Sequence, residues 1–344
     1  MSTRDAVWFT RCPVPTAFSV AVATGRLGDR LAGLGVDFRS LATVRDDKTR
    51  VTHFTQEQPR SARHGGNIPP IVAASRGVDL AIVGLSVAPS NAALLALPES
   101  GISTAADLRG KVIGIPRRVH DTVDFWRATV LQGVERAVRA AGLTPEDVVL
   151  RDIDVDRTFV ADSTERDTAT ATLWDASFMF GFQREESAAL LSGRVDAIFS
   201  EGASRVITQA FTGAAAVVEV GEVAHPEPSL SSNLRPLTLS VSGDLLRDDP
   251  AVVEAIVDET AAAAAWAADE VDAATRIVAA EVGLPEELVA PSFATGLAAQ
   301  LDISLSTERL AALERQVAFL YDNGFLAGAV DVTDLVAPGL VAAS

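Results

Sequence analysis

Near the amino end, three short apolar runs alternate with stretches that proline opens and glycine closes. This alternation constrains the fold more than any other feature of the chain. Val7-Trp8-Phe9-Thr10 reads as a first strand. Pro13-Val14-Pro15 then opens a helix that Gly25 stops, because proline suits the first helical turn and glycine the C-terminal cap. Val36 to Leu41 alternates and predicts a second strand. Pro69-Pro70 starts another helix, closed by Gly77, and Val78 to Val83 forms a third strand. Such a βαβαβ opening implies an α/β fold in which a mostly parallel sheet carries helices on its faces.

A second unit begins near Ser103 to Gly110, with a strand over Lys111 to Ile115 and a long helix from Thr122 to Ala141. Glu186 to Leu191 (helix) and Val195 to Ser200 (strand) repeat the pattern, and Val217 to Val220 is expected to return to the first unit. Asp249-Pro250 offers an N-cap and first-turn proline for a helix reaching Asp269. From Thr307 to Asp322, Leu310, Leu313, Val317 and Leu320 line one face, and Asn323-Gly324 ends the helix. The expected division is one lobe from 1–100 and 222–344 and a second from 101–221, with crossings near Ser100 and Gly221.

Charge narrows the partners. With Lys+Arg 29 against Asp+Glu 46 in 344 residues, the net charge of −17 repels polyanions and argues against a nucleic-acid or acidic-membrane binder. An anionic substrate must therefore be held by local basic groups. Cys12 is the single cysteine, which excludes an internal disulfide and any multi-cysteine metal cluster. His53, His64, His120 and His225 lack paired-ligand spacing, so no metal is expected. No apolar run reaches the roughly 18 residues of a membrane span, and the first residues do not read as a signal peptide. The expected compartment is the cytoplasm.

The stretch from His53 to Pro70 carries the chemistry. Gly65-Gly66 lets the backbone approach a ligand closely, just ahead of a proline-initiated helix whose free N–H groups favour anions. Arg63 adds a planar fork suited to a two-oxygen anion. The plain alternative is a glycine turn with a surface arginine. Cys12 sits at another loop-to-helix junction, beside Arg11, where a thiolate is stabilised; its plain alternative is a small buried hydrophobe. Because βα loops emerge together at the carboxyl ends of parallel strands, Cys12, His53 and Arg63 are expected to converge. His53 then serves as proton partner to the thiol. Gln58 and Asn67 either orient substrate or satisfy loop backbone. His64 is secondary, and His120 and His225 carry no context.

These residues support a resemblance. Arg11-Cys12-Pro13-Val14-Pro15, His53-Phe54-Thr55, Gln58-Pro59 and Arg63-x-Gly65-Gly66-x-Ile68-Pro69-Pro70 together resemble the 2'-hydroxybiphenyl-2-sulfinate desulfinase family of microbial dibenzothiophene desulfurisation. Ser103 to Ile115, Ser192 to Ala197 and Val241 to Val253 are similar to the broader periplasmic-binding-protein-like type II superfamily. The resemblance implies two α/β lobes around a cleft, no cofactor, and release of sulfite from a small-molecule aryl sulfinate. It places the essential cysteine on Cys12, the histidine on His53 and the sulfinate-binding arginine on Arg63. The backbone of Gly66, beside Gly65, falls on the sulfinate contact. Phe54 is expected to pack on an aryl ring, and Gln58 to contact substrate. A monomer is expected. Aromatic residues are few, at 6%, and the region around Phe199 to Ala203 lacks the family's tryptophans. The main rival is a binding protein for sulfonate-type anions. A pyrimidine-synthesis enzyme of the same superfamily would need a cysteine-rich run, which is absent.

Overall fold

The computed structural model describes residues 6–87, 91–163, 172–174, 176–220, 236–293, 297 and 301–337. Among them, ten strands form two five-stranded sheets. The first has the order β2-β1-β3-β10-β4, built from β1 (Val7–Arg11), β2 (Phe38–Ser40), β3 (Ser61–Gly66), β4 (Leu80–Ser86) and β10 (Leu237–Ser242). The second has the order β7-β6-β8-β5-β9, built from β5 (Ala92–Ala96), β6 (Val112–Arg118), β7 (Val149–Val155), β8 (Ala197–Glu201) and β9 (Ala215–Glu219). In each sheet four strands run one way and one opposes them. The opposing strands, β5 and β10, are the first that the chain lays down in each sheet after crossing from the other.

This is the two-lobed α/β architecture that the alternating pattern implies, with two differences. β5 lies inside the second sheet, although a division at residue 100 assigns it to the first lobe. Its sequence Ala-Ala-Leu-Leu-Ala has no polar side, and cores on both faces of the sheet bury it. β9 also pairs with β5 rather than returning to the first sheet. The crossing expected near Gly221 lies outside the described residues.

Helix boundaries follow local chemistry. The helix Pro250–Asp269 begins at its first-turn proline, and Val253, Ile256, Val257, Ala263 and Ala267 bury one stripe against the helix Ala17–Ala23. Thr307–Asp322 is helical, with Ser306 accepting from the Arg309 N–H as its cap. The amino-terminal helix starts later than Pro13-Val14-Pro15 suggests. Cys12 and Val14 each precede a proline, which disfavours the helical region. Thr16 caps the helix instead, accepting from the Ser19 N–H at 3.1 Å. No helix among the described residues is long and apolar enough to cross a membrane.

Candidate active site

Strand register places the first groups. β1 and β3 run parallel, with Thr10 beside Arg63 and Arg11 beside His64. Cys12 follows directly on β1, and its N–H donates to the His64 carbonyl at 3.1 Å. Side chains alternate along strands, so Thr10 and Cys12 share one face and Arg11 takes the other. Arg11 accordingly turns away from the sulfur and pairs with buried Glu281 at 2.6 Å, against the expectation that it flanks the thiol. His64 also points away; its Nε2 meets Ser86 Oγ at 2.9 Å, and burial plus the Arg63 charge lower its pKa to about 3.

Arg63 closes on the sulfur. Its Nη2 donates to Cys12 Sγ at 3.0 Å and its Nη1 to the Gly66 carbonyl at 2.9 Å. Its Nε has no hydrogen-bond partner among the described residues. Burial lowers the Arg63 pKa, opposed by the Cys12 sulfur. Gly65 is obligatory here, because a Cβ would stand 2.4 Å from Sγ and 2.8 Å from the Cys12 Cβ. The Gly65 site is thus room for the cysteine rather than a substrate contact. The helix that follows, Ile68–Ser75, has Pro69 and Pro70 in its first turn. Neither carries an N–H, so this helix start offers an anion fewer donors than the glycine-to-helix pattern implies, and Arg63 is the cationic side chain lining the cavity among the described residues.

His53 comes from a single helical turn, Thr52–Thr55. Its Nε2 lies 3.6 Å from Cys12 Sγ and its Nδ1 2.7 Å from Thr10 Oγ1. Burial, reinforced by Arg63, pushes its pKa well below the ordinary range, which favours the neutral ring. A neutral imidazole donates from one nitrogen and accepts at the other, and the Thr10 hydroxyl can serve either tautomer. Residues 56 to 60 hold this turn in place. Gln56 and Arg60 are the two non-glycine residues with left-handed φ, 59° and 48°, among the described residues. Gln56 bends the chain inward, donating to the His53 carbonyl at 2.8 Å and accepting from Ser240 Oγ. Arg60 is tied down by Asp244 and by Asp249 at 2.5 Å. Gln58 falls on the outside of that bend, where its amide reaches only the Pro59 carbonyl at 3.4 Å; it does not line the site. Asn67 lines it but spends its amide on the Pro236 carbonyl, 2.9 Å away.

Cys12, His53, Phe54, Arg63 and Gly66 open onto one cavity of about 200 Å³. Rings dominate the wall opposite them. Phe54 stacks on Phe159 (5.2 Å) and Phe125 (6.0 Å), and those two stack on each other at 4.5 Å. Trp174 stands edge-on to His53 at 5.5 Å and meets Phe178 at 4.6 Å. Phe182 and Trp126 continue the wall, 4.9 Å apart. Arg118, itself buried, lies 3.6 Å over the Phe159 ring from behind. Arg63 and Glu201 are the charged lining residues among those described.

Sequence reasoning had missed this second wall. Its rings arrive one or two at a time from four stretches of chain, at 125–126, 159, 174 and 178–182, and no spacing links them. Among the remaining histidines, His120 pairs at the surface with Asp156, and His225 lies outside the described residues. No group of three or more potential metal ligands occurs among the described residues.

No family model matches the chain. The 2'-hydroxybiphenyl-2-sulfinate desulfinases of Rhodococcus erythropolis and Rhodococcus qingshengii are each 29% identical over 97% of this chain and 92% of theirs. The crystal structure of desulfurization enzyme DszB matches with a TM-score of 0.75 and 28% identity, covering 98% of this chain and 97% of that one. A cysteine-to-serine variant of DszB in complex with biphenyl-2-sulfinic acid matches at 0.72 and 26%, with the same coverage. The sulfonate-binding protein SsuA from Methylobacillus flagellatus shares the fold at 0.66 and 16% identity, covering 98% and 93%. Over nearly its whole length the chain is thus similar to the 2'-hydroxybiphenyl-2-sulfinate desulfinases, and it has the two-lobed periplasmic-binding-protein-like fold.

Proposed function

We propose that this chain is an aryl sulfinate desulfinase that cleaves the carbon–sulfur bond of a 2'-hydroxybiphenyl-2-sulfinate-like substrate by hydrolysis. One observation carries the reading: Arg63 and His53 meet Cys12 Sγ at 3.0 and 3.6 Å in a cavity lined largely by aromatic rings. A sulfinate has two charged oxygens for the Arg63 fork and the Gly66 backbone, and an aryl body for the rings. Relatives that act on 2'-hydroxybiphenyl-2-sulfinate, and a related structure holding biphenyl-2-sulfinic acid, support the assignment.

The overall reaction takes an aryl sulfinate and water to the arene and bisulfite. In one route the Cys12 thiol protonates the ipso carbon, the carbon–sulfur bond breaks toward that carbon, and sulfur dioxide departs to be hydrated. In the other, the Cys12 sulfur attacks the sulfinate sulfur, the aryl group leaves with the thiol's proton as the arene, and water hydrolyses the resulting S-sulfinate (Cys–S–SO2−) to thiol and bisulfite. Arg63 orients the oxygens in both routes. His53, neutral and buttressed by Thr10, moves the proton to or from the thiol. We further propose that the enzyme is a monomer and works in the cytoplasm.

The test is sulfite and arene release from biphenyl-2-sulfinate and 2'-hydroxybiphenyl-2-sulfinate by purified protein. Stoichiometric products are expected. Ligand-induced stabilisation without sulfite would assign the chain instead to the binding proteins that share its fold.

A further inference from the structure

The cavity's far end is held by a residue outside it. Helix Arg184–Leu191 buries Glu186, Ala189 and Leu190. Glu186 therefore occupies a core-facing position, where helical periodicity calls for an apolar side chain. It is 2% exposed. Its Oε1 accepts from the Trp126 indole Nε1–H at 2.9 Å, and its Oε2 has no hydrogen-bond partner among the described residues. A buried carboxyl with one unsatisfied oxygen is costly, and burial raises its pKa to about 6. Its side-chain hydrogen bond goes to a residue that lines the cavity.

Trp126 stands away from the reacting groups. Ring contacts run from His53 to Trp174 (5.5 Å), then to Phe178 (4.6 Å), Phe182 (5.4 Å) and Trp126 (4.9 Å). With the sulfinate held at Arg63, the ring-lined remainder of the cavity, Trp126 included, is left for the aryl body and its second ring. We propose that Glu186 is a positioning residue which, through its hydrogen bond to Trp126, fixes the wall that recognises the distal ring of a biaryl sulfinate. The inference rests on the desulfinase reading for its substrate class. A carboxyl acceptor restrains the indole more firmly than a neutral group, so the edge and face offered to the distal ring stay set.

The experiment compares kcat/KM for biphenyl-2-sulfinate and benzenesulfinate in the wild type, Glu186→Leu and Glu186→Gln. Glu186→Leu is expected to lower the biaryl-to-monoaryl ratio about 3–10-fold through KM for the biaryl, the size of an aromatic contact. Glu186→Gln, which keeps an acceptor, is expected to restore the ratio to within about twofold of wild type. A folded Glu186→Leu protein with an unchanged ratio, or both variants depressing the two substrates equally, overturns the proposal. If Glu186→Leu fails to fold, Trp126→Phe removes the donor while keeping a ring. It should lower the ratio, with no further loss when Glu186→Leu is added in that background, where no indole N–H is left to pair; a further loss of the ratio overturns the link. Should the wild type turn over neither sulfinate, the desulfinase reading fails. The same ratio taken from calorimetric Kd values then decides the role of Glu186 separately.

Discussion

The two walls of the cavity are held by different forces. On the first-sheet side, Cys12, Arg63 and Thr10 are placed by strand register, and Cys12 Sγ, both Arg63 Nη atoms and the Thr10 hydroxyl each meet a specific neighbour. On the other side, Phe125, Phe159, Trp174, Phe178 and Phe182 are placed chiefly by ring contacts with one another, while the Trp126 ring is pinned by a hydrogen bond to Glu186. The directional wall suits bond breaking, which needs atoms aligned at hydrogen-bond distances. The ring wall suits selection among aryl groups, where shape and area matter more than direction. Phe54 joins them: it follows His53 in sequence yet stacks on Phe125 and Phe159.

If the first wall performs the chemistry, its variants should lose turnover while those of the second wall lose selectivity. Cys12→Ser should reduce sulfite release by about 10³-fold or more, since it removes the group that exchanges a proton or bond with substrate. Arg63→Lys keeps the charge and loses the fork, and should cost ~2–4 kcal/mol in kcat/KM. An unchanged value would move anion binding elsewhere.

The walls should also respond to pH with opposite sign. His64, behind the first wall, has its pKa lowered from 6.5 to about 3 in the folded protein. Its contribution is complete above pH 6.5 and is lost as pH falls toward 3, because the unfolded imidazole takes up a proton first. From pH 6.5 to 5 the loss is about 2 kcal/mol. Glu186, behind the second wall, has its pKa raised from 4.5 to about 6. Its stabilising term is present below pH 4.5 and disappears as pH rises through 6. Urea unfolding at several pH values should therefore show His64→Gln flattening the acid side and Glu186→Gln flattening the span from pH 4.5 to 6. The smallest effect belongs to Thr10→Val, which strips the hydroxyl from His53. It should lower kcat about tenfold, the worth of one buried hydrogen bond, with KM little changed and Thr10→Ser restoring the rate.

The same contrast sets what could be read from the sequence. The strand beginning at Val7, the helices Pro250–Asp269 and Thr307–Asp322, and the convergence of Cys12, His53 and Arg63 were legible because local punctuation and strand-end topology determine them. Arg11 was misplaced because a one-residue alternation decides which face it takes, and Gln58 because the left-handed Gln56 turns the chain beneath it. The role of Gly65 became clear only from the 2.4 Å approach to sulfur. Rings from four separated stretches have no shared motif, so the second wall was illegible as a site. β5 misled in the same way: a short apolar run does not say which of two sheets will accept it.

The central claim is that these walls together break a carbon–sulfur bond. Sulfite measured during a single turnover of biphenyl-2-sulfinate, with enzyme in excess, tests it most directly. The account predicts one sulfite and one biphenyl per substrate, and none with Cys12→Ser. Bound but intact sulfinate in the wild-type protein would contradict it.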